Sequence, residues 1–238
     1  MIAENSLFTN AETSRARTCA VCISQHKEDW KIPNLSFLNY TGGWKPFRHE
    51  RTRERVAYLA ERRNLAVSQA LSAFPHTDHI LMIDSYYLHQ GDQIRGLIRE
   101  YANMIQTDYP KGCILGASTW ILDKTRVRSR LRFYDSWTTP EGSNLKLHEA
   151  EKTGGIIKVR AVGGCYLYPR SVWEKTRYDV PEDLHGCEHN WLCEHSGLPV
   201  YLSLNQMLWH EPVAYSMLKR LRVSLHLRRL FHKAQLME

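Results

Sequence analysis

The chain has 238 residues, enough to bury a sizeable core without disulfide or metal staples. Hydrophobic residues make up 43% and charged residues 24%, and no run approaches the roughly 18 apolar residues that a spanning helix needs, so neither a disordered chain nor an integral helical membrane protein fits. Thirty-two Lys and Arg against 25 Asp and Glu leave a net charge of +7, which favours an anionic partner: nucleic acid, a phosphorylated substrate or an acidic membrane surface.

Six cysteines, at 19, 22, 113, 165, 187 and 193, are too few and too dispersed for a disulfide framework, so reduced thiols are expected. The polar stretch Met1 to Arg17 carries Glu4 and Glu12 and has no apolar signal region, so a cytoplasmic location is expected. Thr18 to Ser24 is a short apolar run followed at once by polar residues, which predicts a buried first strand ending in a loop. Pro33 to His49 reads as irregular, punctuated by Gly42, Gly43 and Pro46.

A helix is predicted from Thr52 to Phe74, where Val56, Ala60, Val67, Ala70 and Phe74 recur at helical spacing and Pro75 closes the element. Arg63 falls inside that apolar stripe, so it either snorkels to the surface or pairs with an anion. His79 to Ile83 is a continuous apolar run that suits a central strand buried on both faces, and it ends on Asp84. A second helix follows from about Gln90 to Gln106, and Gly112 to Trp120 reads as another buried strand.

This alternation predicts an α/β domain with a mixed, mainly parallel central sheet flanked by helices, in which ligands gather at the carboxyl ends of the strands. Lys124 to Gly155 breaks the rhythm as a basic, aromatic loop or antiparallel excursion. Ile156 to Tyr168 returns to strand character around Gly163 and Gly164, a short helix begins at Arg170, His185 to Ser196 reads as a helix, and Val200 to Leu204 as a last strand. One domain over residues 1–212 is expected, followed by a basic amphipathic helix over 213–238. That tail either binds an anionic membrane surface or packs on the domain through Leu218, Leu221 and Leu225.

Asp84, at the end of a central strand, is placed where a divalent cation could bridge to substrate phosphates, or where the carboxylate caps a turn. His210 ends the final strand and could complete a metal site with Asp84 if the two strand ends meet, or serve as a hydrogen-bonding residue. Glu188, at the mouth of a helix beside His189, suits a general base or a helix-start carboxylate favoured by the dipole.

From Thr18 to His210 the order of motifs resembles the nucleotide-sugar glycosyltransferases of the GT-A fold. TCAVCISQHK is similar to the opening strand that binds the nucleotide, which implies roles for Ser24 and His26. AERRNLAVSQAL resembles the helix whose Arg-Asn pair, here Arg63 and Asn64, lies near the nucleotide, and HILMIDSYY stands where the Asp-x-Asp metal motif is expected. The chain has Asp84-Ser85-Tyr86 there, so the second carboxylate is missing, and Ser85 joins Asp84 as a nucleotide-sugar contact. VRAVGGCYLYPRSVW resembles the segment beside the acceptor site, which brings in Gly163 and Gly164, with Trp120 and His189 assigned to the same pocket. GCEHNWLCEHSGLPVYL resembles the helix that opens with an acidic catalytic pair, here Glu188-His189, with Asp183 as another carboxylate close in sequence. His210 matches the late histidine of the metal shell, and Tyr134-Asp135-Ser136-Trp137 is similar to a segment of some fungal capsule mannosyltransferases, placing Asp135 and Trp137 at a sugar.

The resemblance implies transfer of a sugar from a GDP- or UDP-linked donor to a glycan or lipid-linked acceptor, assisted by Mn²⁺ or Mg²⁺, with possible peripheral membrane association through the tail. The competing class is a non-catalytic protein that binds nucleic acid or an anionic surface through Arg126 to Arg132 and the tail, although no nucleic-acid-binding signature accompanies them. A nucleotidyltransferase would be expected to carry a Gly-rich loop after the first strand, where Ser24-Gln25-His26-Lys27 stands instead. A zinc site built on Cys19 and Cys22 is disfavoured, because two residues three apart in a strand face opposite sides.

Overall fold

The structure, a computed structural model, describes residues 17–23, 35–41, 52–87, 90–124, 129–134, 147–182 and 186–210. Ser24, His26, Asp135, Trp137, Asp183 and the basic segments around 126–128 and 213–238 lie outside the described residues.

Eight strands form one sheet: β1 (Thr18–Ile23), β2 (Ser36–Tyr40), β3 (His79–Asp84), β4 (Ile114–Lys124), β5 (Ser129–Phe133), β6 (Ile156–Lys158), β7 (Cys165–Pro169) and β8 (Val200–Trp209). The order is β2-β1-β3-β7-β4-β8-β6, with β5 paired to β4. β1 is parallel to β2 and to β3, and β4 is parallel to β8. β7 enters antiparallel between β3 and β4, and β5 and β6 are antiparallel to β4 and β8. The sheet is therefore mixed, with β1, β2, β3, β4 and β8 running one way and the other three strands the opposite way.

The five helices are α1 (Arg53–Ala73), α2 (Gly91–Thr107), α3 (Leu147–Thr153), α4 (Arg170–Lys175) and α5 (Glu188–His195). They cover the two faces of the sheet, and period-2 alternation sorts β1 between them: Cys19, Val21 and Ile23 pack with Ala60, Val67 and Ala70 of α1, while Ala20 and Cys22 pack with Ile94, Leu97 and Tyr101 of α2. Cys19 and Cys22 thus point to opposite faces, as the strand period requires. No helix among the described residues is long and apolar enough to cross a membrane.

Helix α1 starts where Thr52 Oγ1 accepts the Arg55 N–H at 3.2 Å. Two expectations need revision. Ser36–Tyr40, read as irregular, is an edge strand whose residues are all half-buried; pairing with β1 supplies the order that its own pattern does not. The last strand runs on to Trp209 past a bulge, because the pairing shifts from Ala117–Ser203 to Ser118–Met207. Glu100 of α2 accepts hydrogen bonds from Ser203 Oγ at 2.6 Å, Asn205 Nδ2 at 3.0 Å and Gln206 Nε2 at 3.0 Å, which holds the extra residues and lets β8 resume towards His210.

Candidate functional site

Tyr40, Ile23 and Asp84 lie level across β2, β1 and β3, at the strand ends. The chain runs from β1 outward to β2 on one side and then through α1 to β3 on the other, so the order reverses about β1. That reversal opens the crevice in which ligands of open α/β sheets gather.

Arg63 of α1 joins two carboxylates there. Its Nη2 donates to Asp84 Oδ1 at 2.9 Å and its Nε donates to Glu188 Oε1 at 3.0 Å. Arg63 is 3% exposed and Glu188 1%, while the Asp84 side chain keeps 27% of its surface. Burial opposes the charge on Arg63, but Asp84 and Glu188 outweigh it and hold the guanidinium pKa well above its usual value. The snorkelling alternative for Arg63 is excluded: the charge is paired in the interior. Among the described residues, two buried atoms of this triad have no hydrogen-bond partner, Arg63 Nη1 and Glu188 Oε2. Unpaired buried polar atoms are costly, and they mark this cluster off from an ordinary structural ion pair.

Local sequence positions each member. The Asp84 N–H donates at 2.7 Å to the carbonyl of Gly164, whose φ of +68° favours glycine and whose added Cβ would lie 3.0 Å from Tyr87. Gly163 accepts from the Cys165 N–H at 2.7 Å in the same turn. Glu188 starts α5, where Asn190 Oδ1 accepts the Cys187 N–H at 2.9 Å, and Gly186 makes room because a Cβ there would meet the Asn190 side chain at 2.3 Å.

His189 joins a buried hydroxyl chain behind Glu188. Its Nδ1 lies 2.8 Å from Tyr166 Oη, Tyr166 Oη lies 2.7 Å from Tyr178 Oη, and Tyr178 donates to Tyr168 Oη at 3.2 Å. Since each hydroxyl has one hydrogen, this direction has Tyr166 donate to Tyr178 and His189 Nδ1–H donate to Tyr166. Burial, reinforced by the Arg63 charge, pushes the His189 pKa well below its usual value, and burial pushes all three phenols well above theirs. His189 is therefore a neutral supporting residue packed beneath the triad and not an open pocket wall.

Asn64 points elsewhere: its Nδ2 donates to the Tyr178 carbonyl at 2.9 Å and its Oδ1 accepts the Tyr178 N–H at 3.0 Å, so the amide clamps that segment. Trp120, expected in a sugar pocket, is fully buried; its Nε1 donates to Ser118 Oγ at 3.2 Å and its carbonyl accepts the His210 N–H at 2.7 Å. Ser85 opens a half-buried 3₁₀ turn directly after Asp84.

His210 is carried to the same edge of the sheet by β8, where Gln90 takes both backbone groups of Trp209. Its ring stacks on Tyr134 with centroids 3.9 Å apart and packs against Tyr86 at 4.5 Å and Tyr87 at 6.2 Å. Tyr86, which stands where the expected motif would carry its second carboxylate, is part of this aromatic packing. Among the described residues, no group of three or more His, Cys, Asp and Glu is arranged to hold a metal ion. Asp84 Oδ1 is held by Arg63, so Oδ2 is the oxygen of that carboxylate left for a cation, and the faces of the His210 ring are covered by tyrosines.

Sequence reasoning found Arg63, Asp84 and Glu188, and Tyr134 within a sugar-binding resemblance, but missed Tyr166, Tyr168 and Tyr178. Tyr166 and Tyr168 share one face of β7 by period 2, which was a visible signal; Tyr178 had none. Neither a protein-family model nor a curated protein matches the chain.

Proposed function

We propose that the protein is a glycosyltransferase that moves a sugar from a nucleoside-diphosphate donor to an acceptor hydroxyl, on a GT-A-type nucleotide-sugar-binding domain. The observation that carries this reading is the Arg63 triad at the carboxyl ends of the strands, beside the reversal of strand order about β1. It brings together residues 125 positions apart that the motif resemblance singles out.

Such a transfer has two demands: stabilising charge on the departing diphosphate and removing the proton of the nucleophile. Arg63 supplies a fixed positive charge that both carboxylates hold in place. Glu188 Oε1 is engaged by Arg63, so Oε2 is the atom left to take the acceptor proton. Asp84, the more exposed carboxylate, faces the crevice and orients the donor. A divalent cation bound together with the diphosphate would neutralise its charge, but no step here depends on one.

Glu188→Gln should lower turnover of a transferred donor sugar by about 10²-fold or more while leaving nucleoside-diphosphate affinity within about threefold. Retained turnover in a folded Glu188→Gln variant would confine Glu188 to anchoring Arg63. The competing surface-binding reading gains nothing from the described residues: residues 126–128 and the tail lie outside them, and Arg130 and Arg132 are described only by their backbone pairing in β5.

A further inference from the structure

Helix α5 has a buried side and an open one. His189, Asn190, Leu192 and Cys193 are buried, whereas Trp191 is half-buried and Glu194 and His195 are exposed. Glu188 opens the helix, and Trp191 and His195, three and seven residues on, follow it along one strip. At the rise of an α-helix the two rings lie about 5 and 10 Å along the axis from that carboxylate, a distance that one or two sugar residues span.

Trp191 differs from the other described tryptophans. Trp120 and Trp173 belong to the core and Trp209, although half-buried, packs on it, whereas Trp191 packs on neither core cluster among the described residues. Its indole ring instead stacks on the His195 imidazole, with centroids 3.7 Å apart and planes inclined by 22°. The stack is fastened through the backbone. His195 Nδ1 donates to the Trp191 carbonyl at 2.9 Å, and the His195 carbonyl accepts Thr176 Oγ1 at 3.0 Å. A carbonyl only accepts, so the imidazole hydrogen facing it is on Nδ1, and His195 Nε2 and the Trp191 indole N–H have no partner among the described residues.

We propose that the Trp191–His195 stack is the acceptor platform and that the acceptor is itself a saccharide, its ring laid on the stack so that one of its hydroxyls meets Glu188 Oε2. The inference rests on the glycosyltransferase reading and adds to it the class of acceptor. A sugar ring presents an apolar C–H face and an edge of hydroxyls. The stack presents the complement: flat aromatic surface that no core covers, edged by one ring nitrogen that donates and one that is left over. A hydrocarbon chain would use the surface and leave the nitrogens unpaired.

The test is saturation-transfer NMR on the full chain with the methyl glycosides of glucose, galactose, mannose, xylose and N-acetylglucosamine, in GDP or UDP with Mn²⁺ so that the donor site is filled. At least one glycoside should bind, with the strongest transfer to the protons of one ring face, and Trp191→Ala should weaken it about tenfold or more. Trp191→Phe should recover part of that loss, and His195→Ala should weaken binding about threefold. Calorimetric affinity for GDP and UDP should stay within about twofold in all three variants, and thermal unfolding of each controls for folding. Absence of binding by every glycoside, or binding that Trp191→Ala leaves unchanged, overturns the platform; uptake of GDP or UDP by the same chain then leaves the glycosyltransferase reading standing. Trp191-dependent sugar binding in a chain that takes up neither nucleotide keeps the saccharide site and overturns the transfer reading. A folded chain that binds neither sugars nor nucleotides overturns both.

Discussion

Glu100 and Glu188 each bring a carboxylate from a helix to the sheet, but their surroundings differ. Glu100 receives three neutral donors from the β8 bulge, one on Oε2 and two on Oε1, and both oxygens are satisfied. Glu188 receives one charged donor, Arg63, and has Oε2 unpaired and buried among the described residues. The first network needs nothing further and works as structure: it holds the residues that the bulge inserts into β8. The second retains unused hydrogen-bonding capacity in a place where the backbone, the strand ends and the helix starts converge. Incomplete satisfaction in a dry environment is what separates a site from a brace.

Substitutions at the two places should sharpen that contrast. Arg63→Met leaves two carboxylates facing one another with no cation, one of them wholly buried, and should lower stability by about 3–5 kcal/mol in urea unfolding at neutral pH. A loss under about 1 kcal/mol would mean that the triad is solvated and that its burial carries no energetic weight. Glu100→Ala should remove about 2 kcal/mol, because Ser203, Asn205 and Gln206 lose an acceptor at a half-buried position where water replaces part of it. It should leave nucleotide binding intact, and a loss of binding would show that the bulge and the strand-end site are coupled.

The smallest effect expected is on acid sensitivity. His189 binds a proton less readily in the folded chain than in the unfolded one, so below the usual histidine value of about 6.5 the unfolded state takes up more protons and stability falls as pH falls. Between pH 6.5 and 5.5 this contributes about 1 kcal/mol of loss, and the slope should be shallower in His189→Gln. His79, whose pKa is also lowered by burial, supplies part of the slope that remains. Identical slopes in the two proteins would mean that burial does not keep His189 from taking up a proton in the folded chain.

Much of the fold was legible before any coordinates. The 3.6-residue stripe from Val56 to Ala70 gave α1 within a residue at each end, since Thr52 and Pro75 are strong local stop signals. The unbroken run His79 to Ile83 gave a central strand because only a strand covered on both faces tolerates it, and the structure places β3 between β1 and β7. Ser36–Tyr40 was not legible: its residues neither alternate nor run apolar, and they are ordered by hydrogen bonds to β1. Nor was the extension of β8 beyond Leu204, where polar Asn205 and Gln206 find their partner in Glu100, more than a hundred residues earlier.

The same division runs through the site. Sequence by itself determined which side chains are anomalous: a guanidinium on an apolar stripe, a carboxylate closing an apolar strand, and a carboxylate opening a short helix, each costly enough in its local setting to require a partner. Only the tertiary structure decided that these three are partners of one another and that Tyr86 and His210 face rings. The reason is range. Burial patterns are fixed by neighbours three or four residues away, whereas the direction of a charge is fixed by where crossovers of 20 to more than a hundred residues bring its counter-charge.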